Sequence, residues 1–66
     1  MKITVNGKSE EMRERMTVEE FLRARNLDVN RVAVEIDLEI IPRDRFRSTC
    51  IEAGNRLEIL HFVGGG

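Results

Sequence analysis

The chain closes on Arg56-Leu57-Glu58-Ile59-Leu60-His61-Phe62-Val63-Gly64-Gly65-Gly66, its most apolar run followed at once by three glycines. A period of two over this run puts Leu57 and Ile59 on one face of a strand and Leu60 and Phe62 on the other. A strand that is apolar on both faces belongs in the middle of a sheet. Glycine loses more backbone freedom on ordering than any other residue, so a glycine run is a poor end for a fold. It makes instead a thin, flexible tail. The expected division is a single domain over residues 1–63 and a tail over 64–66.

Working outward, the segment before this strand, Ala53-Gly54-Asn55, reads as a turn, and Ser48 to Glu52 as a fourth strand leading into it. Further back, Val32, Val34 and Ile36 alternate with Ala33, Glu35 and Asp37, which predicts a third strand. Ile40-Ile41-Pro42 follows, and Pro42 ends a ladder or opens a short helical turn through Arg43-Asp44-Arg45-Phe46. Arg43, Arg45 and Arg47 read either as an anion site or as a solvated turn interrupted by Asp44.

Near the start, Ile3 and Val5 alternate with polar neighbours, and Asn6-Gly7 has the left-handed preference of a two-residue hairpin turn. The return strand, Lys8 to about Arg13, is polar apart from Met12, as a charge-protected edge strand would be. Thr17 and Glu20 form a capping box. Met16 stands ready to staple onto Phe21. Val18, Phe21, Leu22 and Arg25 share one side of a helix of about two and a half turns that stops near Asn26. The order is ββαβ, a short turn, then ββ. It predicts an α+β fold, a mixed sheet of about five strands with one main helix on one face. A single helix covers one side of a sheet, so Leu60 and Phe62 are left on the bare side as a candidate docking patch.

Composition narrows the function. Sixty-six residues make one domain, which buries only about 60% of the surface its unfolded chain exposes. That leaves little room for a substrate-enclosing pocket, and no nucleophile–base pair is visible, so no catalytic residue is assigned. Eleven basic against twelve acidic residues give a net charge of −1, without the basic excess of a nucleic-acid binder. No run approaches the roughly 20 apolar residues of a membrane span, and the amino-terminal segment lacks a signal peptide's apolar run. A soluble, cytoplasmic protein is expected, with no nucleic acid and no membrane partner. One cysteine, Cys50, and one histidine, His61, cannot make an internal disulfide or a four-ligand zinc site. Cys50 reads as a small packing residue.

The runs VAVEIDLEIIPRDRF (32–46) and AGNRLEILHFVGGG (53–66), with the overall length, resemble the ThiS family, the sulfur-carrier proteins of thiamine biosynthesis. The resemblance covers essentially the whole chain and implies a ubiquitin-like β-grasp. Departures lie at Asp37-Leu38 and at Glu52 to Asn55, both turns. The family's chemistry would place the reactive group on Gly66, with Gly65 as the other member of the terminal pair and Gly64 one more thin residue before it. A ThiF-like enzyme would use ATP to adenylate the Gly66 carboxylate. A sulfur-donor protein would then convert it to a thiocarboxylate, and a ThiG-like thiazole synthase would accept the sulfur. No cofactor bound to the chain itself is implied. Three extended residues span at most about 10 Å, a reach that suits delivery from a docked sheet. Sulfur carriers of molybdopterin or cysteine synthesis share this tail, as do proteins conjugated to other proteins. A β-grasp binding module without terminal chemistry is a further alternative.

Overall fold

The computed structural model of the chain describes residues 1–62. The elements are β1 (Lys2–Val5), β2 (Lys8–Glu11), α1 (Val18–Ala24), a 3-10 turn (Val29–Arg31), β3 (Val32–Ile36), β4 (Glu39–Ile40), a second 3-10 turn (Arg43–Arg45) and β5 (Arg56–His61). The strands form one mixed sheet in the order β2-β1-β5-β3-β4. β5 is central, as its two apolar faces require. It runs parallel to β1, with Val5 beside Leu57, and antiparallel to β3, from Val32 opposite His61 to Ile36 opposite Leu57. A five-stranded mixed sheet with one main helix is the α+β architecture that the element order predicts and the β-grasp that the resemblance implies.

Local chemistry explains each end. Asn6 and Gly7 take φ of 50° and 83°, the positive values a type I′ hairpin needs at both central positions. At the start of α1 the Glu20 N–H donates to Thr17 Oγ1 (3.1 Å), and Glu20 Oε1 accepts from the Thr17 N–H (2.8 Å). At its end Asn26 turns left-handed, and the Asn26 and Leu27 N–H groups donate to the carbonyls of Arg23 and Leu22. That paired closure satisfies carbonyls the helix would otherwise leave open. α1 has seven residues, about two turns, slightly shorter than its spacing suggests. Val18, Phe21 and Leu22 are buried from α1 against Val5, Val34 and Leu57 of the sheet.

Three expectations are corrected. Ser48 to Glu52 is not a strand. Phe46 and Ile51 are both buried and pin the segment to the core. Its backbone bonds run to the approach to the helix instead of the sheet, from the Val18 N–H to the Thr49 carbonyl and from the Ile51 N–H to the Met16 carbonyl. The fifth strand is β4, paired to β3 through a tight turn at Asp37-Leu38. Cys50 is an exposed free thiol, not a packing residue, because its inward neighbour Ile51 takes the core position. The return strand β2 ends at Glu11, with Met12 buried just beyond it.

Candidate functional site

β5 carries both the core and the candidate docking patch. Leu57 is 1% exposed beneath α1, and Ile59 packs against the same cluster. On the opposite face Leu60 is 57% exposed and Phe62, just past the strand, 56%. The sequence-predicted pair therefore stands on the open side of the sheet, at the end of the central strand. The other predicted site residues, Gly64, Gly65 and Gly66, lie outside the described residues.

Side chains hold β5 in place where neighbouring backbone gives out. Past the end of β1, the Asn6 amide replaces a strand: Nδ2 donates to the Ile59 carbonyl (3.2 Å) and Oδ1 accepts from the Ile59 N–H (2.7 Å). At the strand's start Asp37 Oδ1 accepts from the Arg56 N–H (2.9 Å), and Oδ2 accepts from Asn55 Nδ2 (2.8 Å). The Phe62 N–H donates to the Arg31 carbonyl (2.8 Å), which carries the pairing one residue past His61. The backbone as far as Phe62 is thus tied on one side to β3's leading turn, and Leu60 is presented from a held strand.

The open face extends beyond the predicted pair. Ile40 of β4 is 73% exposed. Ala33 lies opposite Leu60, Glu35 opposite Glu58, and Ile40 opposite Glu35. These five side chains line a shallow depression of about 300 Å3. The sequence holds one signal for Ile40: in an Ile40-Ile41 doublet on extended backbone, only one side chain can face inward. Ile41 is the one that packs against the core.

Arg43 does not serve an anion site. Its Nε donates to the Val29 carbonyl and a terminal nitrogen to that of Val32, both at 2.9 Å, so it closes the core's edge. Among the described residues no group of three or more His, Cys, Asp or Glu could hold a metal ion, and no helix is long and apolar enough to cross a membrane.

Residues 2–66 match the ThiS family. The crystal structure of the thiamine biosynthesis protein ThiS from Geobacter metallireducens is similar over the full length of both chains, 36% identical with a TM-score of 0.85. A thiazole synthase from Paramagnetospirillum magneticum is 39% identical over 66 residues, all of this chain and 20% of that protein. The chain therefore spans about a fifth of the length of that relative. The uncharacterized protein ycf40 of Porphyra purpurea is 31% identical over 64 residues, 97% of this chain and 90% of the other. A match from end to end, carried on the same sheet and helix as a solved member, makes this chain a member of the ThiS family.

Proposed function

We propose that the chain is a sulfur carrier for thiazole formation in thiamine biosynthesis, with Gly66 bearing the reacting carboxylate. The observation that supports this most is the pair Leu60 and Phe62, exposed on the open sheet face, with only Val63 between Phe62 and the glycine run in sequence. A carboxylate is a poor acyl donor until one oxygen becomes a good leaving group. In this reading a ThiF-like enzyme supplies that by joining the carboxylate to the α-phosphorus of ATP with loss of pyrophosphate. A donor protein's persulfide sulfur then attacks the acyl carbon, and AMP departs with the oxygen. A thiol next displaces the thiocarboxylate from the acyl disulfide so formed, becoming a disulfide with the donor's cysteine. A ThiG-like thiazole synthase receives the sulfur from the thiocarboxylate, and the chain leaves with its carboxylate restored. ATP belongs to the activating enzyme, and the carrier binds no cofactor of its own.

The residues suit each part of that cycle. Residues 64–66 carry no Cβ and fit a narrow channel, while the domain of residues 1–63 docks outside it. Ordering the tail in a partner's site costs backbone entropy, and burial of Leu60 and Phe62 offsets it. The thiazole chemistry itself belongs to the partner.

High-resolution mass spectrometry of the carboxyl-terminal tryptic peptide tests the proposal. Cleavage after Arg56 releases LEILHFVGGG, which contains no methionine or cysteine whose oxidation would imitate a sulfur-for-oxygen exchange. After incubation with the activating enzyme, ATP and a sulfur source, the expected result is an ATP-dependent exchange of oxygen for sulfur on this peptide. An unmodified peptide, with an activating enzyme that works on another carrier, overturns the reading in favour of a binding module.

A further inference from the structure

Across the open face Glu35 of β3 lies directly opposite Glu58 of β5. Like charges facing each other across a strand pair destabilise it, and neither carboxylate has an ion-pair partner among the described residues. The pair sits among the apolar residues of the docking face. Leu60 follows Glu58 on the same side of β5, and Ile40 flanks Glu35 from β4. All four line the same depression. A surface that covers Leu60 and Ile40 must therefore also take Glu35 and Glu58 out of water. A wholly apolar partner would strand two adjacent carboxylates, a penalty that the surrounding apolar contacts do not repay.

We infer that the open face receives a basic side chain of its partner, an arginine, seated between Glu35 and Glu58 and ringed by apolar contact with Ile40 and Leu60. A guanidinium suits this better than an ammonium. Its planar fork reaches two carboxylates at once, and its weakly hydrated faces pack on aliphatic side chains. The inference rests on the carrier reading and adds the chemistry of the docking face. The occupant is a thiazole synthase. In the Paramagnetospirillum magneticum protein a segment matching the whole of this chain shares one polypeptide with the rest of that synthase, and covalent linkage holds such a pair at high effective concentration.

The test compares the intact chain with the double variant E35Q/E58Q for binding to the thiazole synthase of the same organism by calorimetric titration. The variant keeps the shape of the face and removes both charges. Its thermal midpoint is expected to equal or exceed the parent's, because a like-charge pair is lost. Its affinity for the synthase is expected to fall about tenfold or more. The parent's binding, unlike the variant's, weakens markedly as salt rises from about 0.05 to 0.5 M. Variant binding within about twofold of the parent overturns the inference. L60S/F62S run alongside separates the two failures. If it abolishes binding while E35Q/E58Q does not, the apolar docking face stands and the arginine is wrong. If the parent does not bind the synthase at all, both readings fall. Loss of binding to the adenylating enzyme alone overturns the choice of partner.

Discussion

Leu38 is the residue whose conformation its sequence least suggests. It sits at φ 73° beside Asp37 at φ 51°, with its side chain 89% exposed. A left-handed backbone crowds Cβ against the following carbonyl and costs an L-residue roughly 1–2 kcal/mol. Asn6-Gly7 performs the same turn with the residues that favour it, which is why the first hairpin was legible and the second was not. Nothing in Asp-Leu marks a type I′ turn, and the sheet imposes it by pairing Ile36 with Glu39. Asp37 recovers part of the cost through its hydrogen bonds to Arg56 and Asn55, whereas Leu38 buries almost nothing. Leu38→Gly is therefore expected to stabilise the fold by about 0.5–1 kcal/mol, the strain relieved less the extra freedom glycine brings to the unfolded chain. Chemical denaturation at neutral pH measures it. An unchanged or lowered midpoint would mean that the exposed leucine is held by contacts its surface position does not show.

Among the elements, α1 and β2 touch through one polar lock. Both terminal guanidinium nitrogens of Arg25 donate to the Glu10 carboxylate at 2.7 Å, and the same guanidinium lies 4.8 Å from the centre of the Phe21 ring. This explains an arginine at the apolar spacing of α1: its stem covers a core aromatic while its head reaches the edge strand. The hydrogen bonds from Arg25 hold the Glu10 carboxyl below its usual 4.5, with burial opposing them and the arginine charge adding to them. A depressed carboxyl pKa gives stability that is present above the unfolded value and lost as pH falls through the folded one. Both side chains are about a third exposed (38% and 32%), so the pair contributes no more than about 1 kcal/mol. Parent and E10Q are thus expected to differ by up to that amount at pH 7 and to converge as pH drops below about 4.5. A gap that persists at pH 3 would assign the effect to packing. The capping box and the Asn26 stop made α1 readable from sequence, because local backbone chemistry decides them. The lock joins residues fifteen apart in the chain, and no local pattern announces that. The misread strand at Ser48 to Glu52 failed for the same reason: burial of Phe46 and Ile51 takes the segment to the helix and away from the sheet.

Among the described residues of the molecule one core lies on one side of one sheet, and that asymmetry separates buried from exposed side chains along a single strand. Leu57 and Leu60 are three residues apart on β5, yet one is 1% exposed and the other 57%. Truncating Leu57 to alanine leaves a cavity under α1 and is expected to cost about 2–5 kcal/mol. A domain of this size has only about 3–10 kcal/mol in total, so L57A should be largely or wholly unfolded at elevated temperature. L60S/F62S removes more apolar surface by composition but none from the core, and its unfolding free energy is expected to stay within about 0.5 kcal/mol of the parent. Its Gly66 should nevertheless fail to gain sulfur when presented to the activating enzyme, because the docking contacts that offset the tail's entropy are gone. Calorimetry and peptide mass spectrometry on the same preparations separate the outcomes. If L60S/F62S unfolds as readily as L57A, the open face is structural and the docking reading fails. If it is stable and still acquires sulfur, activation does not depend on this face. A stable protein that acquires no sulfur is the result expected of a carrier whose fold serves to bring one carboxylate to a partner.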